Sequence, residues 1–218
     1  MKRIIAIGDI HGEFDLLTKL IIKLKDNYDL HNHQIVFLGD YIDRGEKSFE
    51  AINYLIALKK EFPNTIFLKG NHEDMMFNYL DKISKEDERL FLYNGGMSTI
   101  ASYAEYGLKF RWDSIPKNHI KFYKSLKMFY ETEDYFFVHA GINPCFKDDQ
   151  NSFLWIRKEF INSNKDFGKM VIFGHTINEE PVVQKNKIGI DTGAYYYGKL
   201  TAVILPQIDF VYSTNGDI

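Results

Sequence analysis

Five short apolar runs, each closing at polar residues able to do chemistry, constrain this chain more than any other feature. They read RIIAIG at 3–8, QIVFLG at 34–39, TIFLKG at 65–70, YFFVHA at 135–140 and MVIFG at 170–174. Such runs are too short for buried helices and suit strands covered on both faces. Helical patterns lie between them. Phe14, Leu17, Ile21, Leu24 and Tyr28 recur at three- and four-residue steps, and Phe49, Ile52, Ile56 and Phe62 do so less strictly. Strands alternating with helices predict a largely parallel, covered sheet. Residues 73–133 read as mostly helical, with Pro116 in the first turn of a helix. Past residue 182, VVQKNKIGID, KLTAVILP and DFVYST read as strands on short loops, so antiparallel strands are expected to extend a fold that is not plainly doubly wound.

At 218 residues and 45% hydrophobic, the chain can bury a substantial core. No Pro-, Gly- or Ser-rich linker and no internal repeat divides it, so one domain is expected over 1–218. A formal net charge of -3 leaves no basic footprint for extended nucleic-acid or anionic-membrane binding. No run approaches the roughly 18 apolar residues of a membrane span, and MKRIIAIGD is too short an apolar start for a secretory leader. The sole cysteine, Cys145, cannot form an intrachain disulfide, which suits a reducing compartment and a cytoplasmic protein. Its own expected role is that of a small buried or half-buried apolar residue.

Polar residues at the end of each run point to a site. The first run leads into Asp9 and His11, the second into Asp40, Asp43 and Arg44, the third into Asn71 and His72, the fourth into His139, the fifth into His175. In open α/β sheets ligands bind beyond the carboxyl ends of the strands, so these residues are expected to converge. Asp9 and His11, two apart, project to one side of an extended backbone and could share a metal. Of the seven histidines, the other three, His31, His33 and His119, lie in polar stretches and are expected to be solvated. Polar groups buried without partners cost about 1–3 kcal/mol each. Four histidines with two Asp and one Asn therefore argue for metal. Imidazole, carboxylate and amide ligands without thiolate suit Mn, Fe or Zn. Six candidate ligands, from Asp9, His11, Asp40, Asn71, His139 and His175, are too many for one open catalytic ion and fit two. Two divalent ions against the carboxylates of Asp9 and Asp40 leave an electropositive site for an anionic oxygen substrate. Arg44 adds a fork matched to phosphate.

Taken in order, GDIHG at 8–12, GDYIDRG at 39–45, GNHE at 70–73, HAG at 139–141 and GHT at 174–176 resemble the PPP-type metallophosphoesterases, specifically the bacterial and phage serine/threonine protein phosphatases. The resemblance implies an α/β (α+β) class and the calcineurin-like metallophosphoesterase four-layer fold, a central β-sandwich flanked by helices. It implies one metal held by Asp9, His11 and Asp40 and a second by Asp40, Asn71, His139 and His175, with Asp40 bridging. The cofactors would be two divalent transition-metal ions, manganese first, with iron or zinc as alternatives. The implied mechanism is direct attack of a metal-bridging hydroxide on phosphorus, while Arg44 and a second arginine hold the phosphoryl oxygens. Arg157, in FLWIRKEFI, is the choice for that arginine because LWIR segments occur in bacterial members. LYNGGMSTIASY at 92–103 and DTGAYYYGKLTAVIL at 191–205 also resemble bacterial members. Asn94, Gly95 and Gly96 are expected to form a tight loop near the site entrance. Tyr195, Tyr196 and Tyr197 depart from the commoner pattern.

The first functional reading is a metal-dependent phosphoprotein phosphatase acting on phosphoserine and phosphothreonine monoesters, with a phosphoprotein or phosphopeptide as substrate and neither nucleic acid nor membrane as partner. The alternative is a hydrolase of symmetrical dinucleoside polyphosphates such as diadenosine tetraphosphate. Such enzymes tend to lack the acid at the Asp43 position and to carry Asp after GNH, where this chain has Glu73. A non-catalytic binding module and a metal-dependent nuclease rank lower. Within GNHE, adjacent side chains diverge, so Asn71 is assigned to metal and His72, oriented by Asp43, to protonation of the leaving oxygen. Glu73 is expected in the first turn of the next helix, complementing its dipole.

Overall fold

The computed structural model describes residues 3–146 and 148–217. Its strands are β1 (Ile4–Ile7), β2 (Gln34–Phe37), β3 (Ile66–Phe67), β4 (Phe129–Glu131), β5 (Tyr135–Val138), β6 (Met170–Phe173), β7 (Val182–Gln184), β8 (Lys187–Gly189), β9 (Lys199–Leu205) and β10 (Asp209–Thr214). They form two five-stranded sheets, ordered β10-β9-β1-β2-β3 and β4-β5-β6-β8-β7. β1, β2 and β3 are parallel, as are β5, β6 and β8, so their carboxyl ends share a direction within each sheet.

The alternation of side chains along a strand explains why the sheets stack. In β1, Ile4 and Ala6 face the second sheet, where they join Val36, Val203, Phe137, Ile172 and Ile188 in one buried cluster. Ile5 and Ile7 face the other way, into a core completed by helices. Helix α1 (Phe14–Asn27) buries Leu16, Leu17, Leu20, Ile21 and Leu24 there, and α2 (Ser48–Glu61) buries Ala51, Ile52, Leu55 and Leu58. Between α2 and the second sheet's remaining strands come α3 (Asn71–Asp81), α4 (Lys85–Phe91), α5 (Met97–Glu105) and α6 (Lys117–Lys124). Outside the second sheet, α7 (Gln150–Trp155) and α8 (Lys158–Ile161) lay Phe153 and Phe160 over Val138, Val171 and Phe173. The result is the expected four-layer, helix–sheet–sheet–helix fold. Its three buried clusters, one between the sheets and one under each helical layer, make large-to-small changes in the sandwich, such as Ile172→Ala, cost about 2–5 kcal/mol.

Several local expectations differ. The third apolar run pairs with β2 only over Ile66–Phe67, because the chain then turns to a new partner: the Lys69 N–H donates to the Lys127 carbonyl. In the mostly helical middle, Phe129–Glu131 is instead an edge strand antiparallel to β5. Pro116 stands just before α6 as its cap rather than within its first turn. The C-terminal hairpin, β9 and β10, is antiparallel as expected, yet β8 runs parallel to β6. Cys145 is exposed rather than buried.

Two histidines expected in solvent are buried. His33 turns its Nδ1 onto the Asp29 carbonyl at 2.6 Å. His119 pins α6 to its neighbours, its Nδ1 2.7 Å from the Tyr103 hydroxyl and its Nε2 3.0 Å from Asn53 Oδ1. Burial drives its pKa down to about 4. The polar flanks of both residues mislead: the His119 ring is covered by packing between helices, and the His33 ring turns back onto Asp29 and Tyr28. Among the described residues, no helix is long and apolar enough to cross a membrane.

Candidate metal centre

Strand ends from both sheets meet at one edge of the sandwich, and the backbone there is bent to serve the side chains. Five of the seven non-glycine residues with positive φ among the described residues are His11, Asp40, Asp43, Arg44 and His175. A left-handed conformation costs an L-residue roughly 1–2 kcal/mol, so its concentration here marks a functional constraint. The glycines of the motifs have a separate reason. A Cβ at Gly70 would overlap Asp40 Oδ1, and one at Gly174 would overlap Asp9 Oδ1. These close approaches let the His72 N–H donate to Asp40 Oδ1 at 3.0 Å and the His175 N–H to Asp9 Oδ2 at 2.9 Å.

The structure gathers all six expected ligands. Two groups, His11–Asp40–His72 and Asp40–His139–His175, each place their ligand atoms within 4.8 Å of one another. Asp40 belongs to both: its Oδ2 lies 3.5 Å from His11 Nε2 and 3.4 Å from His139 Nε2. His139 Nε2 is also 2.9 Å from Asn71 Oδ1 and 3.2 Å from His175 Nδ1. Asn71 is the first residue of α3, which aims its amide back at the strand ends. Asp9 is tied to the group through the His175 backbone.

Hydrogen bonds set which nitrogen of each ring faces inward. His11 Nδ1 lies 3.0 Å from the Ile42 carbonyl and His139 Nδ1 3.0 Å from the Leu38 carbonyl. Carbonyls only accept, so both Nδ1 atoms carry the proton and both Nε2 lone pairs point to the centre. Burial also holds the pKa values of His11, His139 and His175 below the ordinary imidazole value, which keeps the ligating neutral form. For Asp9 burial raises the pKa, and the charges of Asp191 and Asp40 raise it further. Buried carboxyl groups and inward-facing imidazole lone pairs gathered in this way could hold a metal ion.

Asp9 Oδ1 and His175 Nε2 are buried and lack any hydrogen-bond partner. Donors of this chemistry, imidazole nitrogen with carboxylate and amide oxygen, fit a pair of divalent transition metals.

His72 occupies an ambiguous place by distance alone, since its Nε2 lies 3.9 Å from Asp40 Oδ2 within one of the ligand groups. Its hydrogen bonds separate it from the others. Nδ1 faces the Asp43 carboxylate at 2.8 Å, not a carbonyl. Burial opposes charge on the ring, but Asp40 and Asp43 outweigh it and raise the His72 pKa. Arg44 Nη1 and Nη2 lie 3.0 Å from His11 Nε2 and His72 Nε2 respectively. Arg157 reaches the same edge, its Nη1 donating to the His175 carbonyl at 2.7 Å.

Several functional contacts escaped sequence reasoning. Asp191 is buried beside Asp9, and burial pushes its pKa up to about 6. The available signal was the same as for Asp9: an apolar strand, KIGI, ending in a carboxylate. Thr99 Oγ1 donates to Asp43 Oδ1 at 2.6 Å, opposite His72. The NGG segment, expected near the entrance, braces the turn holding Arg44: the Arg44 N–H donates to the Gly95 carbonyl at 3.2 Å, and Ser98 Oγ donates to the Arg44 carbonyl at 3.0 Å. Glu73 does more than complement a helix dipole. Its buried carboxylate accepts from the N–H groups of Asp40, Tyr41 and Gly70 at 3.0, 2.8 and 3.0 Å, joining two motif loops.

The sequence profile of the family described as calcineurin-like phosphoesterase matches residues 2–202. A bis(5'-nucleosyl)-tetraphosphatase of the asymmetrical type, PrpE from Oceanobacillus iheyensis, is 29% identical over a gapped alignment of 234 positions that covers 96% of this chain and 91% of its own. The serine/threonine-protein phosphatase rdgC of Drosophila melanogaster is 37% identical over only 78 residues, 35% of this chain and 12% of its own. Among solved structures, one described as "a putative diadenosine tetraphosphatase" has a TM-score of 0.72 at 20% identity, covering 99% of this chain and 95% of its own. At that identity the likeness concerns the fold.

Proposed function

The chain belongs to the calcineurin-like phosphoesterase family, in its PPP-type branch, and from that premise we propose that it is a metal-dependent hydrolase of dinucleoside tetraphosphates. The observation that carries this choice is similarity over nearly the full length of both chains to a bis(5'-nucleosyl)-tetraphosphatase. It favours the alternative of the sequence reading over the phosphoprotein phosphatase ranked first, and it points to asymmetrical rather than symmetrical cleavage. The protein-phosphatase relative matches only a third of the chain.

Asp9, His11 and Asp40 would hold one divalent ion and Asp40, Asn71, His139 and His175 the other, with manganese the first choice. When bound, such ions supply Lewis acidity and lower the pKa of coordinated water. The chain's own groups do the rest. Arg44 and Arg157, on opposite sides of the histidine cluster, orient the phosphate oxygens through fork-shaped donors. Hydrolysis adds water across one P–O–P link: oxygen joins phosphorus, the bridging P–O bond breaks, and the proton goes to the departing phosphate. Asymmetrical cleavage leaves one phosphate on one nucleoside and three on the other. His72, held by Asp43, stands where it can deliver that proton.

One observation favours a second reading. A buried histidine–carboxylate pair at 2.8 Å is an oriented acid, most needed by a strongly basic leaving group such as a serine or threonine alkoxide. A terminal phosphate leaves more readily and depends on it less. Assaying metal-loaded protein on diadenosine tetraphosphate and a phosphoserine peptide decides between them. The expected outcome is higher kcat/KM on the dinucleotide, with adenosine mono- and triphosphate as products. Preference for the peptide would reverse the assignment, and two diphosphates would make the cleavage symmetrical.

A further inference from the structure

The three consecutive tyrosines are the sequence motif that the catalytic centre does not absorb. They lie on α9 (Ala194–Tyr197), which begins three residues beyond Asp191. Tyr195, Tyr196 and Tyr197 are 49%, 72% and 52% exposed, an unusual concentration of aromatic surface. Tyr196 and Tyr197 meet edge to face, their centroids 5.3 Å apart and their planes at 73°.

This surface is held beside the strand ends. A Cβ at Gly193 would meet Tyr197 Cδ2 at 2.8 Å and Ile177 Cγ2 at 3.0 Å, so Tyr197 packs close to the residue two positions past His175. The Asn178 N–H donates to the Asp191 carbonyl at 3.0 Å, joining the two loops. Gly193 and Gly198, with φ of 68° and 65°, bend the chain sharply at either end of the turn. Below it, Thr192 Oγ1 donates to the Lys199 carbonyl at 2.8 Å, and the Asn215 N–H donates to the Gly198 carbonyl at 3.1 Å. The rings are thus presented from a turn anchored at both ends, which lowers the ordering cost of binding a flat ligand.

We propose that Tyr196 and Tyr197, flanked by Tyr195, form an aromatic ledge that stacks a nucleobase of the substrate while its phosphates lie over the strand ends. The ledge rests on the dinucleotide reading above. A nucleobase is its fitting occupant because the neighbouring centre gathers two arginines, Arg44 and Arg157, suited to phosphate, and a dinucleotide joins a flat π-face to that charge within one molecule.

Adenosine 5'-monophosphate and ribose 5-phosphate differ only by the base, so calorimetric binding of each to the metal-loaded full chain isolates the ledge. Wild-type protein is expected to bind the nucleotide about tenfold or more tightly than the sugar phosphate. That preference should collapse in Tyr196→Ala/Tyr197→Ala and survive in Tyr196→Phe/Tyr197→Phe, which keeps the rings. Equal binding by wild-type protein, or a preference untouched by the alanine pair, overturns the ledge. If dinucleoside tetraphosphate is hydrolysed but no base preference exists, the ledge alone fails. A base preference without dinucleotide hydrolysis keeps the ledge and overturns the substrate assignment instead.

Discussion

His72 Nδ1 and Asp43 Oδ2 lie 2.8 Å apart with neither side chain reaching solvent. The other Asp43 oxygen accepts from Thr99 at 2.6 Å, so the carboxylate is held from both sides and can orient the ring without turning. His72 differs here from His11 and His139, whose Nδ1 atoms face carbonyls. A carboxylate stabilises the imidazolium far better than a carbonyl does, which suits proton delivery.

His72→Asn is expected to lower turnover about 10²–10⁴-fold while metal content stays near that of the wild type. Kinetics paired with elemental analysis checks both halves. Loss of metal in this variant would make His72 a ligand, consistent with its place in the His11–Asp40 group.

Asp40 is common to both ligand groups, so Asp40→Asn should reduce metal content at both positions rather than one. Chelation of wild-type protein should also lower its thermal midpoint. Metal at about 100 times its Kd stabilises a site by about 2.7 kcal/mol, and Asp9 Oδ1 and His175 Nε2 have no other partner. A midpoint unmoved by chelator would count against the centre.

Gly95 has φ of 101°, and a Cβ there would lie 2.8 Å from the Arg44 backbone nitrogen. Gly95→Ala should displace the turn carrying Arg44 and cut kcat/KM by up to about 10²-fold, the scale on which small misplacements act. Ser98→Ala removes only the hydroxyl shared between the Arg44 and Gly95 carbonyls and should have a smaller effect. Equal activity of both variants and wild type would show that this brace does not position Arg44.

His119 predicts a pH dependence of stability remote from the metal centre. Its pKa falls from 6.5 to about 4 on burial. The unfolded chain therefore binds the proton more readily, and the contribution is complete above pH 6.5 and lost as pH falls toward 4. Between about pH 7 and about pH 5 the wild type should lose roughly 1–2 kcal/mol through this group. Denaturant unfolding of His119→Gln should show a shallower decline across that range. An identical slope would mean that His119 is not buried uncharged.

The strand ends were legible because both halves of the signal are local. A short apolar run dictates a covered strand, and the polar residues after it must emerge at the strand's carboxyl end. Asp9, His11, Asp40, Asn71, His139 and His175 all obey that rule. Asp191 obeys it too, closing KIGI and opening DTGAYYYGKLTAVIL, but neither stretch by itself singles out its carboxylate. Thr99 and Ser98 were invisible as partners of Asp43 and Arg44, because their helix reaches the site through packing against α2 rather than through any sequence spacing.

By itself, then, the sequence determined the short covered strands and the polar residues at their ends, which are consequences of local patterning and residue type, while the sandwich was implied by the ordered motifs' resemblance to a family. Tertiary structure alone decided which nitrogen of each imidazole faces inward, since the Ile42 and Leu38 carbonyls that set His11 and His139 are 31 and 101 residues away from them. It also decided that His119 and His33 are buried and Cys145 is not. The physical reason is common to these cases: burial and protonation depend on what packs over a side chain, which the composition around it does not specify.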